Sequence, residues 1–165
     1  MVARVLVIAY GNPLRSDDGA AWHAAEALHE RCPSAKIVSA HQLTPEFAEM
    51  AAKSVGVVFI DAAQNGDPGQ IVCAWVHAEE DRDQSSHWLT PAQLVALCEE
   101  LYGVTPRAMM ISIAGASFDH GDTLSEALRS ALPELIDQAE EWVLRLADSS
   151  QNAGLSTSSA GSLAN

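Results

Sequence analysis

The chain has 165 residues, of which 48% are hydrophobic, and it carries a formal net charge of −13 at pH 7. This length suits one domain with a core of its own. The negative charge argues against nucleic acid or an anionic membrane as a partner, because both require a positive surface. The three cysteines, Cys32, Cys73 and Cys98, have no CxxC spacing, which is typical of reduced core thiols in a cytoplasmic protein.

The start of the chain also favours a cytoplasmic protein. It lacks the charged region, apolar region and cleavage site of a signal peptide. No apolar run approaches the roughly 20 residues that a membrane-spanning helix needs. We therefore expect no membrane partner.

Short apolar runs alternate with helical patterns along the chain. Strands are predicted at 4–10, 36–40, 55–60, 70–77 and 108–113, and helices at 18–31, from 44, at 90–102 and at 124–146. Pro133 is expected to kink the last helix or to split it. The alternation predicts a mostly parallel, five-stranded twisted sheet covered on both faces, which is a three-layer α/β/α sandwich.

The composition changes after Asp148. Residues 1–148 are predicted to form a single α/β domain, whereas residues 149–165 are rich in Ser, Ala, Gly and Asn. Such a segment buries too little apolar surface to offset the entropy lost on ordering, so a disordered tail is predicted at 149–165.

The turn after the first strand carries two adjacent carboxylates. The stretch from Gly11 to Gly19 reads GNPLRSDDG and lies between that strand and the first long helix. In a parallel sheet, sites form beyond the carboxyl ends of the strands, which is where Asp17 and Asp18 fall. Two acids repel a phosphate and suit a cation. An alternative interpretation is that Asp17 only caps the helix, which is compatible with Asp18 as a ligand.

Two further polar residues fall at ends of predicted elements. Asp61 closes the apolar third strand, where an unpaired buried carboxylate would cost several kcal/mol. His87 lies in the loop SSHWLTP ahead of a helix. Two carboxylates and one imidazole suit zinc or nickel and leave coordination positions open. The alternatives are that Asp61 caps a loop or pairs with an arginine, and that His87 is an ordinary exposed histidine.

The standard protease motifs are missing from the sequence. It contains neither a Gly-x-Ser-x-Gly elbow nor an HExxH helix, and the cysteines lie inside predicted elements. A standard serine, cysteine or zincin protease is therefore unsupported. Trp88, beside His87, is open to two interpretations, a core residue or the wall of a peptide groove.

Taken together, these residues resemble the NiFe-hydrogenase maturation endopeptidases. That family opens with a hydrophobic strand and G-N-x-x-x-x-D-D/E-G, matched here by Gly11-Asn12 and Asp17-Asp18-Gly19. Its apolar strand ending in Asp-Ala is matched by Asp61-Ala62, and its histidine before a helix is matched by His87. The resemblance extends from about residue 3 to residue 146. Ala20-Ala21-Trp22 departs from the glycine and small aliphatic residues that many members carry.

The resemblance implies a phosphorylase/hydrolase-like fold. It also implies a hydrolase, namely an endopeptidase that removes the C-terminal extension of a nickel-loaded hydrogenase large-subunit precursor. Asp18, Asp61 and His87 are the implied metal-contacting and catalytic residues. The nickel is expected to come with the precursor, no organic cofactor is expected, and we expect a monomer. Residues 41–46, HQLTPE, look like the corresponding segment of members that serve soluble hydrogenases.

Two rival hypotheses remain open at this stage. One is a nickel-dependent chaperone that binds the precursor without cutting it, which the missing nucleophile motif favours. The other is a different metallopeptidase or a nucleotide-site enzyme on a similar scaffold. The acidic first loop argues against a nucleotide, because phosphates prefer a glycine-rich turn and a bare helix N-terminus.

Overall fold

The computed structural model of the protein describes residues 3–79 and 88–155. These residues form five strands, β1 (Val5–Tyr10), β2 (Lys36–Ala40), β3 (Gly56–Ala63), β4 (Ile71–Val76) and β5 (Ala108–Ala114). They also form the helices α1 (Ala20–Arg31), α2 (Phe47–Ala52), α3 (Pro91–Tyr102) and α4 (Glu126–Leu155), with a 3₁₀ turn at Ser16–Gly19 before α1.

The strands form one sheet in the order β2-β1-β3-β5-β4. All neighbouring pairs are parallel except β4, which runs antiparallel to β5 at the edge. The predicted mostly parallel, five-stranded sheet is therefore confirmed. The chain passes from β1 to β2 on one side and returns to β3 on the other, which opens a crevice beyond the carboxyl ends of β1 and β3. Ligands bind at such a switch point in open α/β sheets.

Helices cover both faces of the sheet, which confirms the three-layer arrangement. Side chains alternate along each strand, so Val7 and Ile60 pack on one face with α1 and α4. Ile8 and Phe59 pack on the other face with α2 and α3. Strand β1 is buried on both faces from Val5 to Ala9, as its unbroken apolar sequence indicates.

Strand β3 is longer than the sequence predicts. It continues through Asp61 to Ala63, because β5 is also longer and pairs Asp61 with Ser112 and Ala63 with Ala114. The predicted end of this strand at residue 60 is therefore wrong. Asp61 lies inside the strand, close to its carboxyl end.

Helix α4 is continuous through Pro133 and is not split. Leu128 and Leu135, on either side of the exposed proline, are fully buried and fasten the helix to the sheet. The helix extends through Leu155, the last described residue, so residues 149–155 are helical where a disordered tail is predicted. Residues 156–165, the rest of that predicted tail, lie outside the described residues.

None of the helices within residues 3–79 and 88–155 combines the length and apolar character needed to cross a bilayer.

The packing of α4 gives a first prediction. Leu135→Ala should lower the free energy of unfolding by about 2–5 kcal/mol, because it empties a fully buried site under the sheet. Leu144→Ala, on the same helix but 56% exposed, should change it by less than about 0.5 kcal/mol. Urea denaturation followed by circular dichroism measures both. Equal losses in the two variants would contradict this packing.

Candidate functional site

The site begins where β1 ends, at a position that only glycine can occupy without strain. Gly11 has φ +144°, and a β-carbon there would overlap the carbonyl oxygen of Asp18. Its N–H donates to the carbonyl of Ala40 at 3.0 Å, which joins the ends of β1 and β2. The chain can therefore turn sharply and bring Asp18 back over the end of the sheet.

Trp22 secures the same corner from α1. Its indole Nε1–H donates to the carbonyls of Gly11 at 2.9 Å and of Ala40 at 3.2 Å. Its ring also meets His41 edge to face, with 5.6 Å between ring centroids. The departure from small residues at this position thus adds a support to the turn.

Asp18 is held in place by the backbone of the turn. The N–H of Asn12 donates to Oδ2 of Asp18 at 2.7 Å. The side chain of Asn12 accepts from the N–H of Leu14 at 2.9 Å, so Asn12 stabilises the turn as its residue type predicts. Asp18 is half-buried, and its carboxylate lies at the mouth of the crevice.

Asp17 points the other way and is fully buried. Its carboxylate accepts hydrogen bonds from the N–H groups of Ala116 (2.7 Å), Ser117 (3.0 Å) and Ser125 (2.7 Å) and from the hydroxyl of Ser125 (2.8 Å). Burial alone would raise the pKa of Asp17, but these bonds outweigh burial and hold its pKa below the ordinary value. Asp17 therefore carries its charge inside the fold.

The prediction that Asp17 caps α1 is wrong. The residue before α1 is Gly19, and no side chain caps that helix. Asp17 instead joins the turn after β1 to the loop between β5 and α4. Backbone bonds run alongside, from Ser16 N–H to the Gly121 carbonyl at 2.8 Å and from Gly121 N–H to the Leu14 carbonyl at 2.9 Å.

Asp61 faces Asp18 across the crevice. Its Oδ1 accepts from the N–H of Ala62 at 2.8 Å, and the hydroxyl of Tyr10 lies near its carboxylate. Burial, followed by the charge of Asp18, raises the pKa of Asp61 to about 7, against the opposing effect of hydrogen bonding by the Ala62 N–H and the Tyr10 hydroxyl. Because the charge of Asp18 contributes to this rise in pKa, the two carboxylates lie near each other at the carboxyl ends of the strands.

Tyr10 is the site residue that sequence reasoning missed. Burial and the neighbouring Asp61 carboxylate raise the pKa of its hydroxyl above the ordinary value, and the protonated hydroxyl donates to the sulfur of Met110 at 4.0 Å. The available signal was its position, because the last residue of a strand before a site turn lies at the sheet edge where ligands bind.

The carboxylate pair suits a cation. Within residues 3–79 and 88–155, no lysine or arginine forms an ion pair with Asp18 or Asp61, so the alternative of an Asp61–arginine pair is not found there. The two carboxylates supply oxygen ligands, and a divalent cation bound between them would relieve their mutual repulsion. Ions that also accept an imidazole ligand fit this donor set. The same part of the chain contains no group of three or more acidic, histidine or cysteine side chains able to hold a metal.

His87 lies outside the described residues, so its predicted place in the site stays a prediction. The described chain resumes at Trp88, three residues before the start of α3, the helix that packs on the sheet face of Tyr10. Trp88 is 60% exposed, which excludes the core interpretation of this residue. The cysteines are free thiols, with Cys32 and Cys98 buried and Cys73 half-buried.

The buried carboxylate gives a second prediction. Asp17→Asn should lower the free energy of unfolding by about 3 kcal/mol, because an NH₂ group then faces N–H donors that now bond a charge. Asp119→Asn, at an exposed aspartate of the same region, is the matched control and should have little effect. Chemical denaturation at neutral pH measures both. Equal stability of Asp17→Asn and wild type would contradict the role given to this carboxylate.

The sharp turn gives a third prediction. Gly11→Ala should displace Asp18 and destabilise the fold by more than Gly103→Ala does. Both glycines have positive φ, but a β-carbon on Gly103 has nothing within 4 Å, so that variant carries only the backbone strain of about 1 kcal/mol. Thermal unfolding compares the two. An equal loss in both would show that the approach of Asp18 to Gly11 is not a constraint.

Comparisons with known proteins give matches among solved structures. No protein-family model matches the chain, and no curated protein matches it. The NiFe hydrogenase maturation protease HybD from Thermococcus kodakarensis superposes with a TM-score of 0.67 at 23% identity, covering 85% of this chain and 99% of that one. HycI, a maturation protease from the same organism, gives 0.67 at 22% identity, covering 87% and 93%.

A hydrogenase maturating endopeptidase from a bacterium agrees with these matches. HybD from E. coli gives a TM-score of 0.65 at 18% identity, covering 82% of this chain and 88% of its own. The predicted fold is therefore confirmed. The chain has the fold of the hydrogenase maturation proteases, the group that its sequence motifs resemble.

Proposed function

We propose that the protein is an endopeptidase that removes the C-terminal extension of a nickel-loaded NiFe-hydrogenase large-subunit precursor. The observation that carries this proposal is the Asp18–Asp61 carboxylate pair at the β1–β3 crevice. The pair lies on the fold of known maturation proteases. The resemblance of the sequence motifs implies that both acids contact the metal. Neither the fold nor the motif alone would distinguish this function from others.

The nickel in this proposal is part of the substrate. Asp18 and Asp61 would bind it through carboxylate oxygens and His87 through an imidazole nitrogen, so the precursor is recognised only after its metal has been inserted. Bound there, nickel would act as a Lewis acid close to the cleavage point. Nickel is one of the ions that bind well to such a mixed set of oxygen and nitrogen ligands.

The chain's own groups then position the peptide and water. A carboxylate oxygen accepts a proton as water attacks the peptide carbonyl, and that proton passes to the departing amine when the C–N bond breaks. This route needs no serine or cysteine nucleophile, in agreement with the missing elbow motif and with the burial of Cys32 and Cys98. The protein is proposed to act in the cytoplasm, as a monomer on its precursor partner.

The missing nucleophile motif also favours one rival function, that of a nickel-dependent chaperone that binds the precursor and does not cut it. Incubation of the purified protein with nickel-loaded precursor separates the two. Intact-mass spectrometry should show that the precursor loses its C-terminal extension, even when the protein is present at well below one equivalent of the precursor. Stable complex formation with no loss of mass would overturn the endopeptidase and favour the chaperone.

The carboxylate pair gives a fourth prediction. Asp18→Asn and Asp61→Asn should each abolish cleavage of the nickel-loaded precursor and leave the fold intact, because each removes an anionic oxygen donor from the site. Asp67→Asn, at an exposed aspartate soon after β3, is the matched control and should cut at the wild-type rate. Mass spectrometry over time, with circular dichroism of each variant, gives the answer. Wild-type cleavage by both site variants would exclude the metal-contact assignment.

A further inference from the structure

The peptide unit that joins Gly11 to Asn12 is hydrogen-bonded at both of its polar ends. Its carbonyl oxygen, on Gly11, accepts from the indole Nε1–H of Trp22 at 2.9 Å. Its N–H, on Asn12, donates to Oδ2 of Asp18 at 2.7 Å. The peptide bonds of the described residues are all trans, so the carbonyl and the N–H of this unit point in opposite directions. Trp22 and the Asp18 carboxylate therefore bind opposite sides of one rigid, planar group.

The two hydrogen bonds of this peptide unit strengthen each other. A donor on the carbonyl oxygen polarises the amide and makes its N–H a better donor, as in other chains of hydrogen bonds. The acceptor of that N–H is a carboxylate, and bonds to ionised acceptors are shorter and stronger than neutral ones. The indole N–H of Trp22 thus acts on the Asp18 carboxylate without touching it.

Trp22 is itself held in a fixed place at this corner. Its indole N–H also donates to the carbonyl of Ala40 at 3.2 Å, and the N–H of Gly11 donates to the same carbonyl at 3.0 Å. Its ring meets the ring of His41 edge to face. The peptide unit after Gly11 therefore cannot rotate without losing its bond to the indole, whose only polar atom is this donor.

The bond from Asn12 leaves one oxygen of Asp18 available for an ion. Oδ2 accepts from the N–H of Asn12, whereas no hydrogen bond within residues 3–79 and 88–155 engages Oδ1. Because the bond on Oδ2 restricts rotation of the carboxylate, Oδ1 is presented in one orientation. A ligand group that is already ordered loses less entropy when it binds, which favours binding.

We propose that Trp22 is a positioning residue, whose indole N–H fixes the Gly11–Asn12 peptide so that this peptide holds the Asp18 carboxylate ready for a divalent metal ion. This inference rests on the proposed function, because it concerns the same site. Trp22 touches neither the metal nor the substrate and acts only through the peptide unit. Groups that orient a metal ligand contribute roughly 10- to 100-fold to metal affinity in other proteins.

The first experiment follows the amide signal of Asn12 by NMR in nitrogen-15 labelled protein, because a short bond to a carboxylate moves an amide proton downfield. Trp22→Phe keeps an aromatic ring, removes the indole N–H and should move the Asn12 proton upfield. The chain contains four tryptophans, and Trp75, 44% exposed on β4, supplies the matched control. Trp75→Phe should leave the Asn12 signal in place. An Asn12 signal that is the same in Trp22→Phe and wild type would overturn the proposal.

The second measurement reads the same relay in reverse, with Trp22 intact. The indole N–H signal of Trp22 is assigned through its proximity to the ring of His41. Asp18→Ala removes the acceptor at the far end of the relay and should shift this indole signal, while the indole signal of Trp75 stays in place. A Trp22 indole signal that ignores Asp18→Ala would contradict the relay, even if Trp22→Phe failed to fold.

The third experiment tests metal binding, with Ni²⁺ alone as the probe. Trp22→Phe should weaken Ni²⁺ binding about 10-fold by calorimetry, at the lower end of the range because Trp22 acts through an intervening peptide. Trp75→Phe should bind Ni²⁺ as wild type does. Equal affinity in all three proteins, or no Ni²⁺ binding by wild type, would refute the positioning role.

Cleavage of the nickel-loaded precursor separates failure of this inference from failure of the proposed function. If wild type cuts and Trp22→Phe cuts with unchanged kcat/KM, the positioning role fails and the endopeptidase stands. If no protein cuts, but Trp22→Phe weakens Ni²⁺ binding and moves the Asn12 signal, the positioning role stands without the endopeptidase.

Discussion

Four hydrogen bonds converge on the buried carboxylate of Asp17, and they join the turn after β1 to the loop between β5 and α4. Burying a charge without such partners would cost several kcal/mol. Separation of the turn from that loop would leave the Asp17 carboxylate without its hydrogen bonds and is therefore strongly unfavourable. Because Asp17 is directed inward, its neighbour Asp18 remains at the surface of the crevice. The half-buried acid of the pair, Asp18, is thus placed by the fully buried one, Asp17.

The rest of the site follows from the sheet order. Strands β1 and β3 are neighbours, and the chain leaves β1 toward β2, so their carboxyl ends open a crevice. Asp61 enters this crevice from β3, and Asp18 enters from the turn that Gly11 allows. The repulsion between the two acids is part of the energy that a bound cation would relieve.

Much of the fold was predictable from local patterns. The apolar run of β1 and the Thr90-Pro91 start of α3 are both confirmed, the latter as a capping box with Gln93. The meeting of Asp18 and Asp61 followed from the rule that parallel strands place their carboxyl ends at one edge. The Asp17 contacts were not predictable, because its partners lie about a hundred residues away and no nearby pattern indicates them.

Two other differences have the same origin in tertiary pairing. The length of β3 depends on how far β5 runs beside it, which the sequence of β3 alone does not show. The helical residues 149–155, SSQNAGL, begin with four polar residues, yet they continue a helix already formed, and extending a helix is far easier than starting one. Composition therefore placed the start of the tail too early.

The central claim is that Asp18 and Asp61 bind the nickel carried by the precursor. Nickel X-ray absorption of the loaded precursor, frozen alone and after mixing with the protein, tests it most directly. The account predicts added oxygen or nitrogen ligands on nickel with wild type, and none with a variant carrying both Asp18→Ala and Asp61→Ala. An unchanged nickel spectrum with wild type would contradict it.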